Sequence, residues 1–194
     1  MICSELWKQW TLTRINGGHY DWWYFPFQLC SLPMYLLIAV TFIRHLKIRQ
    51  IIYTFFMDYC LLCGTFVFFD ISGMIYPTIL LTIHSFSWHI LLIALGIMAG
   101  LSGRADYSGQ GFFKGSLIFI IGCIIATLFN LSLYPLGSIN MFYISPYYRM
   151  DQVVFRSLSQ ISGNSVGILS YILAIISGAF LFHLFWLKKQ KSRR

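Results

Sequence analysis

Phe25-Pro26-Phe27-Gln28-Leu29-Cys30-Ser31-Leu32-Pro33 sets a thiol, an amide and two prolines inside a segment otherwise fit for lipid, which runs on to Ile43. Polar groups and helix breakers at membrane depth need partners from neighbouring helices, because hydrocarbon offers none. The stretch therefore predicts several spans closed around it, with Cys30 in a cavity, and not a single anchor.

Composition extends the argument to the whole chain. Of 194 residues, 58% are hydrophobic and only 10% charged, against about 25% charged in a soluble domain. That is more apolar surface than one soluble core of this length can hide, so the sequence predicts an all-α, polytopic membrane helix bundle of about five transmembrane helices. Apolar runs at about 24–43, 50–70, 77–100, 114–134 and 164–187 are each long enough for the roughly 30 Å hydrocarbon layer. Pro26 suits a first helical turn, whereas Pro33 should kink the first span.

Residues 1–23 carry Trp7, Trp10, Trp22 and Trp23 among a few charges, a composition for an interfacial lead-in at the headgroup layer. They hold no apolar core of a cleavable signal peptide. Residues 24–187 form the membrane domain, with a soluble-looking loop at 102–111 and a long polar connection at 135–163; residues 188–194 form a basic tail. Arg44, Lys47, Arg49, Arg104, Lys114 and the five basic residues of the tail fall on one side, against Lys8, Arg14, Arg149 and Arg156 on the other. The positive-inside rule then puts the amino terminus outside the cell membrane and the carboxyl terminus in the cytoplasm.

The net charge of +8 sits in clusters at the ends of apolar runs, which predicts anionic lipid headgroups at the cytoplasmic loops as partners and no nucleic acid. Four of the five cysteines lie inside apolar runs, so free thiols are expected. No Gly-rich phosphate loop, Ser-His-Asp spacing or HExxH is present. Cys60 and Cys63 make only half a metal site, with Asp58 a third ligand only if the helix distorts, and read as core filler. Neither a metal nor a cofactor is expected.

Cys30 with a histidine makes a sensible nucleophile and base for acyl transfer. Counted at 1.5 Å per helical residue, Cys30 lies roughly 9 Å deep, His84 roughly 10 Å and His89 roughly 18 Å. Depth favours His84, although a first helix starting near Tyr20 brings Cys30 level with His89. The two histidines are about 140° apart around a helix, so one of them faces the thiol. Read as packing, Cys30 is a small core residue and either histidine bonds a neighbouring carbonyl. Gln28 serves equally as an oxyanion donor or as a partner for another helix. Asp58 must be protonated or matched to a polar group, and Asn130, Asn140 and Asn164 read as hydrogen bonders at helix ends and between helices.

Phe25 to Pro33, Tyr76-Pro77, the run His89-Ile-Leu-Leu-Ile-Ala-Leu-Gly96 and the segment Gly137 to Pro146 occur in an order that resembles the YwaF-like bacterial integral membrane proteins, over roughly residues 25–185. Animal relatives of that family include a cysteine-dependent transmembrane acyltransferase acting on ether lysophospholipids. The resemblance implies Cys30 as nucleophile and His89, over His84, as the family histidine. The chain departs from the pattern: family members often carry a histidine where Gln28 stands, a Pro-Asp where only Asp70 is near, an Asn-Tyr-Met reduced here to Asn140-Met141, and a lysine where Ser145 stands. They commonly have a sixth helix before the cysteine motif, so a five-span variant or a truncated start is expected.

Three functions follow. The first is acyl transfer or hydrolysis on a membrane lipid by Cys30 and His89, supported by Gln28, His84, Asp58 or Asn140. The second is a permease or ion relay through Asp58, His84 and His89. The third is a non-catalytic assembly partner, using the small-residue face of the last span around Ser170 and Ser177.

Overall fold

A computed structural model describes residues 1–192; Arg193 and Arg194 of the expected basic tail lie outside the described residues. The chain is all-helical. Eight α-helices follow in order: α1 Ile2–Ile15, α2 Leu32–Phe42, α3 Leu46–Phe55, α4 Leu61–Phe66, α5 Ile79–Leu101, α6 Gly109–Leu133, α7 Phe155–Ser162 and α8 Asn164–Lys191. A π-helical turn, Phe56–Cys60, joins α3 to α4, so that Leu46–Phe69 forms one continuous span. With α5, α6 and α8 it makes, among the described residues, four helices long and apolar enough to cross a membrane. The protein is a polytopic membrane helix bundle.

Local sequence sets the helix starts. Thr78 and Ser108 cap α5 and α6 by accepting from the backbone N–H groups of Leu81 and Gly111. Pro33 occupies the first turn of α2, where its missing N–H costs nothing, so it opens the helix and does not kink it. The expected first span is thus helical only from Leu32. Phe25 to Ser31 is irregular, held by turns such as Ser31 N–H to the Gln28 carbonyl, 2.9 Å, and by the Tyr35 hydroxyl donating to the Pro26 carbonyl, 2.7 Å.

The spans pack closely through glycine. A Cβ on Gly64 of α4 would stand 3.0 Å from the His89 carbonyl, and one on Gly96 of α5 would stand 3.1 Å from the Phe56 carbonyl. Only hydrogen at these two positions lets the backbones approach so near. At one end of the bundle, contacts from Arg104 to Tyr53, Asp106 to Thr54 and His183 to Tyr107 gather the last turn of α3, the loop after α5 and the C-terminal part of α8.

Two regions differ from a plain loop-and-span layout. Helix α1 buries Glu5 while Ile2, Leu6 and Trp10, one stripe at intervals of four, stay exposed. Leu12 is buried beside Glu5, while this apolar stripe faces outward, an arrangement a lipid medium favours. Within the long connection expected at 135–163, Ile139 to Phe142, Ile144 and Ser145 are buried. Irregular backbone is tolerated at such depth only when every polar group has a protein partner, and side-chain amides provide them.

Candidate functional site

Gln28 and Asn130 clasp the buried segment from two sides. The Gln28 amide donates to the Asn140 carbonyl, 3.0 Å, and accepts from Phe142 N–H, 2.7 Å. Asn130 donates to the Met141 carbonyl, 3.1 Å, and accepts from Met141 N–H, 2.6 Å. Asn140 accepts from Ser145 N–H, 3.0 Å. The segment so held contains Phe142 and Tyr143 at φ 58° and 57°, left-handed values for non-glycine residues, which persist only where the surroundings over-determine them. Of the alternatives for Gln28, the structure gives the pairing one, toward loop backbone.

The same irregular strand delivers Cys30 to α5. Its thiol lies near enough to the His89 side chain for the two to interact, and its carbonyl accepts from the Trp88 indole N–H, 2.9 Å. His89 Nδ1 lies 2.8 Å from the Ser85 carbonyl. A carbonyl only accepts, so Nδ1 carries the hydrogen and Nε2 of the neutral ring keeps its lone pair. One turn of α5 thereby sets the tautomer of the base and anchors the backbone of the thiol. The depth count that favoured His84 assumed a helical Cys30; the chain from Phe25 to Ser31 is not helical, so the rise of 1.5 Å per residue does not apply to it.

His84 lies one turn outward, its ring 5.8 Å from Trp7 and 5.6 Å from Trp88. Both its nitrogens are buried without a hydrogen-bond partner among the described residues. Glu5 and Lys8 of α1 pair with each other at 2.7 Å and lie near enough for their charges to act on Cys30. Tyr76, in the connection before α5, also feels the sulfur's charge; burial first and that charge second push its phenol above the ordinary tyrosine value. It therefore stays a neutral O–H donor beside the thiol.

Asp58 belongs to a second centre. Its Oδ2 lies 2.9 Å from His183 Nδ1, and both side chains are 1% exposed. His183 Nε2 is 3.1 Å from the carbonyls of Tyr107 and Ser108, so Nε2 carries a hydrogen and one further proton is shared between Nδ1 and the carboxyl. Asp58 projects from the π-helical turn, a distortion often found at functional positions. Its partner is neither His84 nor His89. Cys63 donates weakly to the Cys60 carbonyl, 3.6 Å, and among the described residues no three His, Cys, Asp or Glu side chains converge as metal ligands.

The sequence argument passed over His183, although a signal was there. His183 lies four residues from the end of its apolar run at Leu187, and Asp58 eight from the start of its run at Gln50, both from the same side. At 1.5 Å per residue those depths differ by roughly 6 Å, about one helical turn, and Asp58 needed a partner. Glu5 and Lys8 had no such signal, since only the fold brings them near Cys30. No family model matches the chain, and no curated protein or solved structure matches it.

Proposed function

We propose that this membrane protein is a lipid acyltransferase or acyl hydrolase that works through a Cys30 thioester, with His89 as the general base and acid. The observation that carries the reading is the placing of Cys30 beside His89, whose Nδ1–H is committed to the Ser85 carbonyl. Nε2 takes the thiol proton as sulfur attacks the ester carbonyl of a lipid. The tetrahedral intermediate collapses, the C–O bond breaks, and Nε2–H protonates the leaving alkoxide. An acceptor alcohol or water then gives its proton to Nε2 and attacks the thioester, releasing acylated product and thiolate. Tyr76 is a neutral donor close enough to feel the sulfur's charge and in this scheme serves the developing oxyanion.

A lipid substrate suits a site within a membrane bundle, because access from the bilayer needs no aqueous channel. The Lys and Arg distribution orients the protein with its amino terminus outside the cell membrane, which turns Cys30 toward the outer leaflet. Kinship with the YwaF-like proteins belongs to the same proposal and rests on the order of the residues from Phe25 to Pro146. Purified protein in vesicles of fluorescent phospholipid tests the reading. Wild type yields free or transferred acyl chains and Cys30→Ser yields none; equal turnover by the two proteins rejects it.

A second reading, a proton relay, is favoured by one observation: the buried Asp58–His183 pair shares a proton within a π-helical turn, and Asp58 Oδ1 has no partner among the described residues. Proton flux into reconstituted vesicles that survives Cys30→Ser and is lost in Asp58→Asn would select it.

A further inference from the structure

At the end of the bundle formed by the start of α3 and the loop after α5, a cleft of about 460 Å³ is lined by Leu46, Lys47, Arg49, Gln50, Tyr53 and Arg104. Three of its six lining residues are cations and none is an acid. Among the described residues the ion pairs are Lys8–Glu5 and Asp58–His183, so none of the three cations is matched to a carboxylate. Two of them gather around one phenol: Arg104 donates to the Tyr53 hydroxyl at 3.1 Å, and Arg49 lines the same cleft near enough for its charge to act on that hydroxyl. The Arg104 guanidinium also stands 5.6 Å from the centre of the Tyr53 ring.

Two guanidinium groups gathered on one phenol repel each other, and the repulsion is relieved by an anion that accepts from both. Guanidinium forks match the tetrahedral oxygens of phosphate, and Lys47 adds a point charge at the rim. Tyr53 holds Arg104 in place, so less side-chain freedom is lost on binding. The cleft lies where a membrane span begins, beside Leu46 and Phe42, which are 78% and 79% exposed. A phosphate held here leaves attached acyl chains against apolar side chains.

We infer that Arg49, Arg104 and Lys47, arranged around Tyr53, form a binding site for a phosphate group, supplied by an anionic phospholipid whose chains lie along Phe42 and Leu46. The site is at the far end of α5 from Tyr76 and does not depend on the chemistry of Cys30.

The test measures binding of phosphatidylglycerol and phosphatidylcholine in mixed micelles to the purified full chain, with inorganic phosphate as competitor. Arg49→Gln with Arg104→Gln is compared with Lys188→Gln and Lys189→Gln, which removes equal charge from the end of α8. The expected result is a preference for phosphatidylglycerol that falls at least tenfold in the arginine pair and is unchanged in the α8 pair. Arg49→Lys with Arg104→Lys keeps the charge and loses the forks; it binds more weakly than wild type even where the glutamine pair fails to fold. Equal losses in the arginine and α8 pairs, no preference between the lipids, or full binding by the lysine pair would overturn the site. Displacement of the lipid by millimolar phosphate keeps the phosphate site but assigns it to a soluble phosphate ligand.

Discussion

His183 and His89 each meet an ionisable side chain brought from another element, yet the two pairs are finished differently. Around His183 both ring nitrogens are engaged, by Asp58 and by two backbone carbonyls, and neither member reaches solvent. Around His89 one nitrogen is held by Ser85 and the other is left to a part-buried thiol on irregular backbone. A saturated pair in a packed interior acts as a clamp, because any change leaves a buried polar group unmatched. A pair with one free lone pair, set beside Tyr76 and α1, retains the capacity for chemistry. The difference teaches that burial and pairing alone do not mark a reactive histidine; a ring nitrogen left facing a thiol does.

The sharpest way to break the comparison is stability. Asp58→Ala leaves His183 Nδ1 without its partner inside the bundle and is expected to lower stability by about 3–5 kcal/mol, read as a fall in thermal midpoint in detergent. Cys30→Ala, in the same assay, should stay within about 1.5 kcal/mol, because it removes a small, part-buried side chain. Equal losses would show that the Cys30 pair is a clamp as well.

Next in size is Gln28→Leu. It frees the Asn140 carbonyl and Phe142 N–H inside the bundle, at about 1–3 kcal/mol for each buried group left unmatched. Proteolysis between Gly137 and Tyr148 should become faster, and reactivity at Cys30 should drop because the strand that presents it loses its anchor. Unaltered proteolysis would mean that Asn130 and Asn140 hold the segment without Gln28.

The smallest effect is expected at His84. Both of its nitrogens are buried without partners among the described residues, and its ring packs between Trp7 and Trp88. Replacement by phenylalanine removes two unmatched polar atoms and keeps the ring contacts, so stability should hold or rise by up to about 1 kcal/mol. Cys30 reactivity should not change. A loss of reactivity would give His84 the role assigned here to His89.

The bundle was legible because hydrocarbon imposes length and composition on each span, and the apolar runs match α3 through α4, α5, α6 and α8 closely. The first run was legible only as apolar. Its helix begins at Leu32, since Pro33 works as a starter and the residues before it trade helical hydrogen bonds for turns and for the Asn140–Phe142 backbone. Cys30 and a histidine could be read as candidates, but which histidine could not: depth counting fails where the chain leaves the helix. The depth at which residues 139–145 lie was hidden for a related reason. A segment with Gly137, Asn140 and Pro146 reads as a surface loop, and only the distant amides of Gln28 and Asn130 make its burial affordable.

The central claim, that His89 makes Cys30 reactive, is tested most directly by site-resolved labelling with an electrophilic acyl-lipid probe. The protein should carry Cys3→Ser, because Cys3 is exposed, while Cys60, Cys63 and Cys123 remain as thiols of the same bundle with no histidine hydrogen bond. The account predicts an adduct confined to Cys30 that forms at least about a hundredfold more slowly in His89→Ala and at the wild-type rate in His84→Phe. Adducts spread over the four thiols, or a Cys30 rate that does not respond to His89→Ala, would contradict it.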